Sequence, residues 1–333
     1  MAFRILHLVP WAHYGGIERL VLELASVTEQ HVTGVLFRSH GPFLREFHQR
    51  HFTAHVLDDL AATDEGIDVL SGMIERSDLL HIHCLDYLSE DYEIARLFGL
   101  PAVVTLHGRS RLPLLEYPLV CVSEEVAAMQ LPGASVAVIP NGVDTRRFVP
   151  GTRKDGELTI VRVCRSNRSA DYFGKAIELV LQKHPNVVVR IVGEEGPSNS
   201  RVQYMGVRSD IPEILAESDV FAYAPRPEAG AHDVCVLEAM SSGLAVVATD
   251  VEGVRESISN GQDGLLAPFG DVQAFANAID SLLRNRQLRQ KLGQAARAKA
   301  MERFDIREIA KRYLGFYLRA LDTSQVPTTS EIL

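Results

Sequence analysis

The sequence predicts an α/β protein in two halves, each a parallel sheet covered by helices on both faces. Short β-branched runs alternate with longer segments of helical period, which is how a parallel sheet with crossover helices reads. Each half shows the alternation independently. The chain also has 333 residues, above the roughly 250–300 at which a single core stops growing, so two domains are expected. With 46% hydrophobic and 23% charged residues, it has the composition of a soluble globular protein.

In the first half the expected strands are Phe3–Val9, His31–Phe37, Thr53–Leu57, Leu79–Cys84, Ala102–His107, Leu119–Val122 and Val136–Ile139. Between the first two lies an expected helix, Ile17–Glu29, whose Leu20, Val21, Leu24 and Ala25 share one face. The polar, turn-rich stretch Pro150–Gly156 reads as the linker. The second half offers strands Leu158–Cys164, Asn186–Val192, Val202–Met205, Val220–Tyr223, Ala245–Ala248 and Gly264–Leu266. Its expected helices are Lys175–His184, Ile211–Glu217, Val234–Ser241 and Val272–Leu283. Asp210 reads as the cap of Ile211–Glu217, with Pro212 early in the first turn and Glu213 three residues after the cap. Residues 284–321 are charged and helical in pattern, and the last dozen read as a frayed tail. The expected domains are 1–150 and 151–305, followed by a C-terminal segment, 306–333.

Charge excludes several partners. Residues 1–145 hold nine arginines, no lysine and nineteen acidic residues, a net −10, while the whole chain carries −9. So acidic a half disfavours nucleic acid and anionic lipid. Four cysteines without CxxC spacing fit a reducing, cytoplasmic setting. The apolar N-terminal run breaks at Pro10 and reads as a buried strand, with no integral membrane segment expected.

Four groups of residues could carry chemistry. Gly15 and Gly16 follow the first strand and open the first helix, where free N–H groups and the helix dipole can receive a phosphate or a sugar hydroxyl. His83 and His107 stand at the ends of two strands, where ligands of open α/β sheets bind. His81 and His83 share a strand face, but without a convincingly spaced third ligand no metal is expected. Arg165, Arg168 and Lys175 follow the strand ending at Cys164 and could stabilise a departing diphosphate. Finally, the loop around Glu228, Gly230, Ala231, His232, Asp233 and Val234 runs into a helix that holds Glu238 on an apolar background. A carboxylate there needs a partner, and ribose hydroxyls would serve. A tight turn, solvated charges or a structural ion pair would show the same residues.

Assembled in order, nine stretches resemble the retaining family-4 glycosyltransferases: GGIER at 15–19, LLHIHC at 79–84, VVTLHG at 103–108, VCVSE at 120–124, IPNGVDTRRFVP at 139–150, IVGEEGP at 191–197, SDVFAYAP at 218–225, VLEAMSSGLAVVATDVEGVRE at 236–256 and DGLLAPFGD at 263–271. The resemblance implies the GT-B fold, two Rossmann-like domains facing each other across a cleft, with the C-terminal helix packing back toward the N-terminal domain. It implies that the second domain binds a nucleotide sugar, a UDP-sugar or GDP-sugar, with no cofactor or metal. Gly16 would then meet the donor phosphate, His107 the transferred sugar, Arg165 and Lys175 the diphosphate, Glu238 the ribose, and the backbone at Met205–Val207 the base, with Gly193 nearby. The family's paired glutamates lie eight residues apart, whereas here Gly230 stands eight before Glu238 and Glu228 ten before it.

The reaction so implied is sugar transfer to an acceptor hydroxyl with retention. Alternatives are an inverting transferase with His13 as base, a sugar-nucleotide epimerase, and a non-catalytic nucleotide-binding homologue. The acidic first half adds the expectation of a neutral or cationic small-molecule or glycan acceptor; the sequence leaves the oligomeric state open.

Overall fold

A computed structural model describes residues 3–86, 89–113, 116–151, 157–163, 172–227 and 232–322. The chain divides into two compact units, Met1–Pro140 with Arg307–Leu333, and Asn141–Ile306. The first boundary lies ten residues before the one expected at 150. Residues 141–150 belong to the second unit because Phe148 is fully buried with Val161 and Phe221 in its core. The Phe148 carbonyl also accepts from Ser241 Oγ at 2.7 Å.

In the first unit, β1 (Ile5–Val9), β2 (Val32–Phe37), β3 (Ala54–Val56), β4 (Leu79–Cys84), β5 (Ala102–Leu106), β6 (Leu119–Cys121) and β7 (Val136–Val138) form a seven-stranded sheet in the order 3-2-1-4-5-6-7. All its pairings are parallel. The central strands are buried along their whole length, which is why they read as continuous apolar runs with histidines set into them. The helices are α1 (Gly16–Val27), α2 (Leu44–Gln49), α3 (Leu57–Ala61), α4 (Asp64–Glu75), α5 (Ser89–Phe98) and α6 (Glu124–Ala128). As expected, Leu20, Val21, Leu24 and Ala25 of α1 are buried. The helix ends two residues early, where Thr28 turns its hydroxyl back onto the Leu24 carbonyl at 2.7 Å and a 3₁₀ turn follows.

The second unit holds β8 (Leu158–Val163), β9 (Val187–Val192), β10 (Val202–Tyr204), β11 (Val220–Tyr223), β12 (Ala245–Thr249) and β13 (Leu265–Ala267). They form a second parallel sheet in the order 10-9-8-11-12-13. Around it lie α7 (Tyr172–Lys183), α8 (Ile211–Ala216), α9 (Val234–Ser241), α10 (Glu252–Arg255), α11 (Val272–Arg284) and α12 (Arg286–Arg303). Asp210 does occupy the N-cap position of α8, but its side chain makes no cap bond. It accepts from Arg208 Nε at 2.8 Å instead.

The helical stretch after 284 breaks at Phe304–Asp305. There the Val143 N–H donates to the Phe304 carbonyl, and the Ile306 N–H to the Val143 carbonyl, at 2.9 and 3.0 Å. Beyond the break, α13 (Ile306–Leu321) buries Tyr313 and Tyr317 and joins the first unit. No helix among the described residues is long and apolar enough to cross a membrane.

Candidate functional site

In each sheet the winding reverses direction between two central strands, β1 and β4 in the first and β8 and β11 in the second. The carboxyl ends of the strands beside such a point are where ligands of open α/β sheets sit.

In the first unit, Gly15 is the N-cap of α1, and the Arg19 N–H closes the first turn on its carbonyl. The N–H groups of Gly16, Ile17 and Glu18 precede that first intrahelical bond and face outward from the helix start. Gly15 is extended, with φ −155, so a left-handed backbone is not what selects glycine there. His13 is exposed in the preceding loop. Across the sheet, His107 is buried at 6% exposure, and its N–H donates to the Cys84 carbonyl at 2.8 Å. A Cβ on Gly108 would stand 1.9 Å from the Leu85 carbonyl oxygen, so only glycine lets the ends of β4 and β5 meet this closely. Two arginines near this edge are ion-paired, Arg38 with Asp91 and Glu90, and Arg109 with Glu125.

His7, His81, His83 and Thr105 come together through strand register: His7 lies beside His81, and His83 beside Thr105. His7 and His81 are at 0% exposure and His83 at 1%. His7 Nδ1 is 3.1 Å from His83 Nε2, and His83 Nδ1 is 3.1 Å from His107 Nε2. His81 makes a separate pair of bonds, to Thr105 Oγ1 at 2.7 Å and to the Tyr317 hydroxyl at 2.8 Å. Burial holds all three rings neutral: it lowers the His7 pKa to about 3 and, with repulsion from the neighbouring histidines, puts His81 and His83 well below the usual range. His7, His81 and His83 each offer a nitrogen within 4.8 Å of the others, the spacing of a metal centre. Both nitrogens of His81 are already hydrogen-bonded, however, and among the described residues no carboxylate joins the group to offset a buried dication.

In the second unit, α7 starts at the carboxyl edge of the sheet. Its first residue, Tyr172, is hydrogen-bonded through its hydroxyl to Thr249 at the end of β12, and Lys175 is exposed one turn on. Arg165, Arg168, Glu228, Gly230 and Ala231 lie outside the described residues. Gly193 ends β9 with φ +90, a backbone that favours glycine, and donates its N–H to the Gly206 carbonyl at 2.7 Å. The Met205 N–H is taken by the Ile191 carbonyl at 2.8 Å, so it has no hydrogen left for a base, while Val207 is 64% exposed. Asp233 caps α9 by position, Val234 opens the helix, and Glu238 is buried in its second turn. His232 is turned inward. Its Nε2 meets Ser257 Oγ at 3.2 Å, its ring lies beside Phe304, and burial lowers its pKa to about 4. His232 was expected in the donor-binding loop, and its ring is engaged by Ser257 and Phe304.

Two groups escaped the sequence reading. Arg162 of β8 is buried, ion-paired with Glu194 and stacked 4.6 Å from the Phe173 ring, which ties the loop after β9 to α7. An arginine inside an apolar strand was itself the signal. His7, Tyr313 and Tyr317 carried no signal, because their neighbourhood is made by strand register and by a helix about 230 residues away in sequence.

Residues 157–285 match the sequence model of the family described as Glycosyl transferases group 1. The N,N'-diacetylbacillosaminyl-diphospho-undecaprenol alpha-1,3-N-acetylgalactosaminyltransferase of Campylobacter jejuni is 38% identical over 124 residues, 37% of this chain and 32% of that enzyme. The UDP-Gal:alpha-D-GlcNAc-diphosphoundecaprenol alpha-1,3-galactosyltransferase of Escherichia coli is 27% identical over 62% of this chain and 66% of its own length. Among solved structures, Alr3699/HepE of Anabaena in complex with UDP and glucose has a TM-score of 0.77 at 19% identity, covering 95% of this chain and 99% of its own. A glycosyltransferase from Rickettsia africae has a TM-score of 0.77 at 18% identity, covering 97% and 99%. The chain has the GT-B glycosyltransferase fold. The family match over residues 157–285 spans the whole second sheet.

Proposed function

We propose that the protein transfers a sugar from a nucleoside-diphosphate sugar, with UDP as the nucleotide, to an acceptor hydroxyl with retention of configuration and without a metal ion. The observation that carries this reading is the family match over residues 157–285, which span the second sheet.

In this reading the bond between the anomeric carbon and the phosphate oxygen breaks, and the acceptor oxygen bonds to the same face of the sugar. The acceptor's proton passes to the leaving phosphate. Lys175, with Arg165 and Arg168, stabilises the negative charge that grows on the diphosphate, the work a divalent ion would otherwise do. Glu238 accepts from the ribose hydroxyls, and His107 touches the transferred sugar. The acceptors named for the two curated relatives are lipid diphosphates. The excess of acids in residues 1–145 favours a neutral or cationic acceptor here.

Lys175→Ala tests the assignment. Because Lys175 is exposed, the variant should melt like the parent while its turnover falls on the order of 100-fold, the usual loss of one transition-state donor. Undiminished turnover would remove Lys175 from the site. Product of inverted anomeric configuration would overturn retention.

A further inference from the structure

The first sheet carries a file of three histidines, His7, His83 and His107, joined nitrogen to nitrogen in two steps of 3.1 Å. It runs from mid-β1 to the loop after β5. Each ring in such a file must donate from one nitrogen and accept at the other, so fixing the proton on one ring fixes it on all.

The inner end settles the direction. His7 Nε2 is buried and has no hydrogen-bond partner among the described residues. A proton on that nitrogen would leave an N–H donor orphaned in the interior, the rarer and costlier kind of unsatisfied group. The His7 proton therefore sits on Nδ1 and is donated to His83 Nε2. His83, neutral in its buried place, carries its own proton on Nδ1 and donates it to His107 Nε2. His107 is left with its proton on Nδ1.

We infer that His83 is a positioning residue that locks His107 in the Nδ1–H tautomer, so that it meets the transferred sugar as a hydrogen-bond donor and cannot act as a base through Nε2. The donor role rests on the glycosyltransferase reading; the tautomer does not.

Histidine side-chain ¹⁵N NMR on the whole protein reads the tautomer directly. The expected spectrum of the parent shows His7, His83 and His107 all protonated at Nδ1, with nitrogen–nitrogen coupling across the hydrogen bond from His83 to His107. Protonation of His107 at Nε2 would overturn the inference. In His7→Phe the inner end stays apolar, so His83 and His107 keep Nδ1–H; a change of tautomer there would also overturn it. For the positioning role, His83→Leu should lower kcat/KM about tenfold, and His83→Asn, whose amide can donate from the place of Nδ1, should restore it to within about threefold, roughly the value of one hydrogen bond. Unchanged kcat/KM in His83→Leu would count against the role. Transfer absent from every form, with the tautomers as expected, would retire the proposed activity and leave the lock standing.

Discussion

Single residues fix the first unit's edge through clearance as much as through chemistry. Gly108 is the clearest case, since any side chain there would collide with the Leu85 carbonyl and push apart the loops that hold His107. Gly108→Ala should therefore destabilise the protein by about 1–3 kcal/mol and lower turnover, read by urea unfolding together with an assay. A variant as stable and active as its parent would show that the two loops part freely. His107 and Gly108 were legible as a pair at a strand end. The reason for the glycine, a carbonyl from the neighbouring strand's loop, was not.

At the scale of elements, strand positions were legible because buried parallel strands are short apolar runs between turns, and β4 and β11 have the bounds expected. Helices α2 to α6 were not read from the sequence, since most are short and owe their formation to packing on the sheet more than to their own periodicity. Caps divide in the same way. Asp271 accepts from the Ala274 N–H at 2.9 Å at the start of α11, whereas Asp210, the cap the sequence pointed to, is drawn off by exposed Arg208. Asp271→Ala should cost about 1 kcal/mol, and Asp210→Ala should stay within about 0.5 kcal/mol; equal losses in chemical unfolding would contradict this division.

Across the whole molecule, both units bury histidines that stay neutral when folded. The folded pKa of His7 is about 3 and that of His232 about 4, each lowered by burial from an unfolded value near 6.5. Below about pH 6.5 the unfolded chain binds protons that the folded one refuses, so this stability is complete above that pH and is lost as pH falls toward 4 and then 3. Each of the two should cost about 2 kcal/mol at pH 5, and the melting temperature should drop by several degrees between pH 7 and 5. A flat profile over that window would mean that these rings take up protons without unfolding. The two-unit organisation was visible in length and in the repeated α/β pattern. The boundary was not, because Phe148 joins the second core through side-chain packing that a turn-rich stretch conceals.

The central claim is that the carboxyl edge of the second sheet holds the diphosphate of a nucleotide. It is tested most directly by melting the parent and Lys175→Ala in EDTA with UDP, GDP, ADP or TDP. The account predicts that UDP at about 100 times its dissociation constant stabilises the parent by about 2.7 kcal/mol, raising its melting temperature by several degrees, and that Lys175→Ala loses most of this shift. No shift with any of the four nucleotides, or one undiminished in the variant, would contradict it.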